Sequence, residues 1–341
     1  MMNDASIKNK TLFEIDNQID ELVKKIELLN YVNPMNIESE KEKFFNSKYL
    51  TDPTFQYPER DFDKFSLHKE FFKLSVSKIE DETLRDFYED TIYFYSGLIQ
   101  CIETIGKGKR FYYNSLRSFG TPTEQDVENA KFILHFESED EKSEMFQQKY
   151  TAIEAASFFK EYSKKYDFTY EIKSSSTMGA IAMVSNSIKS LILNENHIFS
   201  DNEINVLTNH EIGVHMVTTM NGVLHPLKIF SHGFSNNEET QEGLAVYSEY
   251  MSGNLTVKRL KELAYRVLAV DSLAKGYSFS KTFRLLHNSY DLEREQAFYI
   301  AVVVLLREAQ DPTPLIAEGR WHGRIANAPR GDRGFGYDPI F

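Results

Sequence analysis

One cysteine, Cys101, occurs in 341 residues. A lone thiol excludes an internal disulfide and suits a reducing compartment. Cys101 lies in an apolar helical pattern and reads as a buried small hydrophobe, not a nucleophile. Positive charge is also short. The 39 Lys and Arg face 51 Asp and Glu, a net charge of −12. That balance argues against nucleic acid or an acidic membrane surface as main partner. No run approaches the roughly 18 apolar residues of a membrane span. The opening MMNDASIKNK lacks the apolar stretch of a signal peptide. These absences predict a cytoplasmic chain with no membrane and no nucleic-acid partner. A phosphate loop is missing too. Gly106-Lys107-Gly108-Lys109 is a basic turn without the spacing a P-loop needs.

What is present suits a globular protein. The hydrophobic share is 41%, and the length allows one large or two modest domains. Residues 11–29 have the pattern of an amphipathic helix, broken at Asn33-Pro34. A short helix is expected over 37–45 and a proline-containing loop over 51–62. Helices follow at 66–78, 81–104 and 124–134, and a long charged one at 139–165. Phe and Tyr residues between 65 and 115 fall at helical spacing, as core residues do. The character then changes. Residues 168–172 alternate like a strand, and 178–184 and 190–193 are short apolar runs around a Ser185-Asn186-Ser187 turn. They predict a small three-stranded sheet with one hairpin. Later helices are expected over 255–274 and 279–288. Arg266 interrupts the apolar pattern of the first, as a buried charge near a site or a paired surface arginine.

The chemistry concentrates in residues 200–245. His210-Glu211-Ile212-Gly213-Val214-His215 places a glutamate beside the first of two histidines. Imidazole and carboxylate are the ligands of zinc in hydrolytic sites, where three protein ligands leave room for a water. A glutamate next to the first histidine can take that water's proton. The pattern points to a zinc metallopeptidase. Ser200 and Glu203 form a capping box, and Asn221-Gly222 is a stop signal. The spacing, however, resists a regular helix. Histidines five residues apart lie roughly 140° around an α-helix, too far to share an ion. A π-bulge would bring them together, and Gly213 is the residue to accommodate it.

A second helix is expected over 238–251, with Asn236 and Asn237 as candidate caps. Glu242 in its first turns is the expected third ligand, and Glu238 and Glu239 read as carboxylates facing the helix dipole. The intervening loop, 223–237, carries His225, Lys228 and His232 and is expected to wall the cleft. His232 is a candidate transition-state donor or substitute ligand. Lys228 is a candidate partner for a substrate's C-terminal carboxylate. Tyr247 is a candidate pocket residue.

HEIGVH followed by TQEGLA resembles the QEGLA-motif family, over about residues 10–298. That family includes the flavohemoglobin-expression-modulating proteins and the microtubule-associated tyrosine carboxypeptidases. The resemblance implies a predominantly helical α+β fold, with a zincin-like metallopeptidase core, a small β-sheet and a helical N-terminal region. It implies zinc held by His210, His215 and Glu242, catalysis by Glu211, and a peptide or protein C-terminus as substrate. It also puts the sheet at the border of the cleft, where an edge strand can pair with an extended peptide.

The expected organisation is a helical region over 1–165, a metallopeptidase core over 166–298 and an unrelated fragment over 299–341. The final stretch, from Asp311 onward, holds four of the nine prolines, five of the sixteen glycines and the single tryptophan, a different composition from the body. Its EGRWHGRI and GFGYDPIF segments resemble part of the inosine-triphosphate pyrophosphatase family. It lacks that family's phosphate-binding segment, so a truncated gene fusion or an assembly artefact is the reading. Two alternatives stand beside the peptidase: a non-catalytic regulatory protein with a structural metal, and a nucleotide pyrophosphatase.

Overall fold

The computed structural model describes residues 4–26, 29–59, 63–137, 143–176, 178, 180–234 and 237–307. The element order begins with seven helices: α1 (Asp4–Val23), α2 (Leu29–Val32), α3 (Ile37–Asn46), α4 (Lys64–Phe72), α5 (Glu82–Thr104), α6 (Lys109–Phe119) and α7 (Glu124–Leu134). Strand β1 (Gln148–Tyr150) and helix α8 (Ala152–Ser163) follow, then β2 (Glu171–Ser175), β3 (Ala182–Ser185), β4 (Ser190–Asn194) and β5 (Phe199–Ser200). The second half is helical again: α9 (Asp201–Leu207), a π segment (Thr208–Met216), α10 (Val217–Leu224), a 3-10 turn (Lys228–Ser231) and α11 (Asn237–Met251). The described chain ends with α12 (Val257–Ala274), α13 (Phe279–Arg284), a second π segment (Leu285–Ser289) and α14 (Arg294–Arg307). Among the described residues no helix is long and apolar enough to cross a membrane.

Local chemistry explains the helix starts. Asp81 accepts from Leu84 N and opens α5. Along α5, Tyr88, Ile92, Tyr95, Ile99 and Ile102 recur every three or four residues and are buried together. Capping boxes open α7 at Thr123, α8 at Thr151 and α9 at Ser200. The box at Thr151 divides the long helix expected over 139–165. Residues 148–150 run extended and pair antiparallel with β5, and α8 begins afresh. Helix α6 has no counterpart in the sequence reading, which stopped at the basic turn before it. The aromatic residues between 65 and 115 are only partly core. Phe71, Tyr88, Tyr95 and Phe111 are buried, whereas Phe65, Phe72, Tyr93 and Tyr113 are exposed.

The main sheet has the order β2-β4-β3. β3 and β4 form the expected antiparallel hairpin, and β2 runs parallel to β4. The first strand begins at Glu171, three residues later than its alternation starts. Leu191 and Leu193 of the central strand are fully buried.

Among the described residues the core has four clusters, and they do not follow the expected boundary at residue 165. Helix α8 packs with β4, α9 and the π segment, so it belongs to the same body as the sheet. In the second cluster Phe44 of α3 meets Phe279, Phe283 and Phe298 at ring distances of 5.2, 4.9 and 5.8 Å. In the first, α1 and α5 close over Leu227 and Ile229. The fourth joins α7 to α12. Residues 299–304, expected to open an unrelated fragment, complete α14. Ala301, Val302 and Val304 are buried in the second cluster. The prolines, glycines and Trp321 of the final stretch lie outside the described residues.

Candidate metal centre

The backbone between the two histidines is a nine-residue π segment, longer than the single bulge the spacing required. Its i→i+5 bonding sets residues five apart nearly above one another. The rings of His210 and His215 consequently lie 4.9 Å apart, centroid to centroid. Gly213 is not forced by space. A Cβ there would meet Thr208 O at 3.6 Å, an ordinary contact. The glycine that the packing demands is Gly222, where a Cβ would fall 2.1 Å from Phe230 O. The expected stop at Asn221-Gly222 is therefore a close approach inside α10, which runs on to Leu224.

Helix α11 supplies the third group. Glu242 Oε2 lies 3.6 Å from His210 Nε2, and its Oε1 lies 3.3 Å from His215 Nε2. Among the described residues these three side chains form a set whose ligand atoms all fall within 4.8 Å of one another. His215 Nε2 and Glu242 Oε2 are buried without a hydrogen-bond partner. Buried polar atoms rarely stay unpaired, and a cation coordinated by both would satisfy them. The donor set, two imidazoles and a carboxylate, fits zinc.

The far side of each ring is fixed. His210 Nδ1 donates to Glu249 Oε1 at 2.8 Å. His215 Nδ1 donates to Gln241 Oε1 at 3.3 Å. Both rings thus turn Nε2 toward Glu242. Glu249 is fully buried. Arg259 of α12 grips it twice, Nε to Oε2 and Nη2 to Oε1, each at 3.1 Å. A carboxylate behind a ligating histidine sets its tautomer and raises its basicity. Sequence reasoning missed Glu249, Gln241 and Arg259. The signal for Glu249 was there: it follows Glu242 by seven residues, two turns along the same helix face. Nothing local marks Arg259.

Electrostatics follow from this crowding. Burial pushes the His210 imidazole down, but the carboxylates of Glu242 and Glu249 outweigh it and lift it to about 10. Glu238, one turn before Glu242, is pushed up to about 7 by burial, with the charge of Glu242 adding to the effect. Glu211 is buried beside His210, and its Oε2 accepts from Val184 N of β3 at 3.1 Å. The hairpin is tied to the same helix, since Thr219 Oγ1 donates to Asn186 Oδ1 at 2.6 Å.

Three expected substrate contacts go elsewhere. His232 Nε2 pairs with Asp20 Oδ1 at 2.7 Å, and Lys228 Nζ with Asp20 Oδ2 at 3.2 Å. Both are turned to α1 because Asp20 is buried there and carries the charge they need. Tyr247 is on the exposed side of α11 with its ring 6.4 Å from that of Tyr250. It lies five residues from Glu242, which turns it away from the ligand face. His225 accepts from Leu227 N at 3.1 Å, and Arg266 is half-buried in α12.

Comparison with known proteins gives two unequal results. Short segments resemble curated dITP/XTP pyrophosphatases. The Aromatoleum aromaticum enzyme is 63% identical over 46 residues, 14% of this chain and 23% of that protein. The Xanthomonas oryzae enzyme is 61% identical over 49 residues, 14% of this chain and 25% of that protein. The Vibrio cholerae enzyme is 41% identical over 73 residues, 21% and 36% of the two chains. The chain thus spans about a quarter of the length of the first two. The other match covers most of the sequence and contains His210, Glu211, His215, Gln241, Glu242, Glu249 and Arg259. It is to the family model for microtubule-associated tyrosine carboxypeptidases, over residues 42–305, and the chain belongs to that family.

Proposed function

We propose that the chain is a zinc-dependent carboxypeptidase, with a zincin-like core, acting at the C-terminal end of a peptide or protein. One observation carries the reading. Two buried, unpartnered polar atoms, His215 Nε2 and Glu242 Oε2, sit beside His210 Nε2 inside the family-matched region. Among the described residues three ligands gather, and three favour the catalytic pattern over a closed structural site, which takes four. A zinc ion there supplies a Lewis acid for the scissile carbonyl and makes water acidic enough to attack near neutral pH.

The protein's own groups do the rest. Glu211 has Oε2 committed to Val184 N, which leaves Oε1 to take a proton from the attacking water and return it to the departing amine. Glu249 and Gln241 hold the two imidazoles in the ligating tautomer. β3 is an edge strand whose Val184 N–H points away from β4 to Glu211. A peptide paired along that edge would pass directly by the base. The family's name makes a C-terminal tyrosine the first residue to test.

Zinc content by mass spectrometry, followed by peptide hydrolysis, tests the proposal. Wild type is expected to carry about one zinc per chain. Glu242→Ala is expected to lose it, and Glu211→Gln to keep it while hydrolysis stops. Peptides with a free C-terminal carboxylate should be cleaved and amidated ones spared. A zinc-free wild type after zinc loading, or hydrolysis that survives Glu211→Gln, would defeat the reading.

A further inference from the structure

Helix α1 lies before the family-matched residues, which begin at 42. Two of its acidic residues nevertheless organise the segment between the ligand-bearing elements. Asp16 and Asp20 are both buried, one turn apart. Asp16 accepts from the backbone N–H groups of Lys228 and Ile229, at 2.7 and 3.2 Å, and from Tyr88 Oη at 2.8 Å. It therefore caps the 3-10 turn at 228–231 from a distant helix, as an N-cap residue would from within one. Asp20 takes His232 Nε2, Lys228 Nζ and Lys24 Nζ. Buried charges persist when they are paired or fully hydrogen-bonded: Asp20 has three cationic or imidazole partners, and Asp16 accepts three hydrogen bonds from neutral donors.

The segment they hold has little freedom elsewhere. Ile229 is fully buried among Ile15 and Ile19 of α1 and Ile99 and Ile102 of α5. Phe230 O lies against Gly222 of α10, so the turn is also fixed to the continuation of the π segment. Gly233 O accepts from Tyr95 Oη at 2.9 Å, and the Phe234 ring lies 5.0 Å from that of Phe87. Helix α11 begins at Asn237, and Glu242 follows in its second turn. One end of this connection is thus set against His215's own helix, and the other launches the helix of the third ligand.

We propose that Asp16 and Asp20 are positioning residues for the metal centre. They clasp residues 228–232 and so set where α11 presents Glu242 to His210 and His215. The clasp rests on the metal reading of those three residues, and it makes an N-terminal helix outside the family-matched core a determinant of metal affinity.

The test uses the full chain with Asp16→Asn, Asp20→Asn and the double variant. Zinc affinity is read by competition with a chromophoric chelator, and backbone motion by hydrogen–deuterium exchange. The double variant is expected to bind zinc on the order of tenfold more weakly, and amides of residues 228–245 to exchange faster. Leu286→Ala is the control. It opens the second core cluster, away from the clasp, for a comparable loss of melting temperature. It should leave zinc affinity and the exchange of 228–245 at wild-type values. If the double variant matches Leu286→Ala in zinc affinity, the proposal is overturned. Should the double variant fail to fold, Asp20→Asn alone, which keeps the Asp16 cap, gives the reading. A wild type that binds no zinc would defeat the metal assignment itself. Exchange alone would then decide the clasp, and unchanged protection over 228–245 in the aspartate variants would end it.

Discussion

His210 and His232 invite comparison. Both side chains are almost fully buried, and each has a ring nitrogen on a buried carboxylate, Glu249 for one and Asp20 for the other. Their roles diverge through which nitrogen is used. His232 gives Nε2 to Asp20, inside a network that Lys24 and Lys228 also enter. His210 gives Nδ1 to Glu249 and keeps Nε2 for the centre shared with His215 and Glu242. A buried histidine is therefore not a ligand by residue type. It is placed to serve as one when its far nitrogen is tied and its near nitrogen faces other donors, as in His210.

The comparison is broken most sharply at Glu249. Glu249→Gln keeps the shape of the support but removes the charge between His210 and Arg259. Zinc affinity should fall about 10–100-fold, measured by chelator competition. Unchanged affinity would mean that the support on His210 matters no more than an ordinary buried hydrogen bond.

The next effect is on stability. Gly222→Ala drives a methyl into the Phe230 carbonyl. Overpacking of that kind costs about 1–3 kcal/mol, and relief by shifting the 228–231 turn should loosen the loop as well. Urea unfolding reads the cost, and a variant as stable as wild type would show that α10 and the turn can separate freely.

On the His232 side the expected effect depends on pH. Burial pushes the Asp20 carboxyl up, but hydrogen bonds from Lys24, His232 and Lys228 outweigh it and bring it from 3.8 down to about 2. A depressed folded-state value stabilises the fold above the unfolded value. That contribution is lost as pH falls from near 3.8 through about 2. The gap in melting temperature between wild type and Asp20→Asn should accordingly narrow over that window. A gap that stays constant would place the effect of Asp20 in packing instead of charge.

The smallest effect is expected at Gly213→Ala. Its Cβ meets only ordinary contacts, so zinc content and melting temperature should stay near wild type. A loss of zinc would show that the π segment needs the glycine for its backbone freedom and not for space.

Much of the ligand cluster was legible in the sequence because its signals are local. The His210 and His215 spacing demanded a distorted helix, and the segment is π throughout. Ser200 and Glu203 announced the start of α9. The β3–β4 hairpin was read from two apolar runs and their turn. The partners of Lys228 and His232 were not legible, because Asp20 is more than 200 residues away in the chain. Tyr247, read from the sequence as a candidate pocket residue, lies on the exposed side of α11. The single helix expected over 139–165 failed where Thr151 starts α8 afresh, a cap that a run of charged helix formers conceals.

The sequence by itself determined which side chains offer cation-binding donors, that the first helix must depart from α geometry if its two histidines are to meet, and that a second helix carries the carboxylate Glu242. These follow from side-chain chemistry and from spacing within single elements. Tertiary structure alone decided that Glu249, held by Arg259, backs His210, that β3 holds Glu211, and that Asp20 of α1 takes Lys228 and His232. Each of those contacts joins groups on different elements. Their pairing is set by how buried surfaces pack and by the need to satisfy every charge enclosed between them.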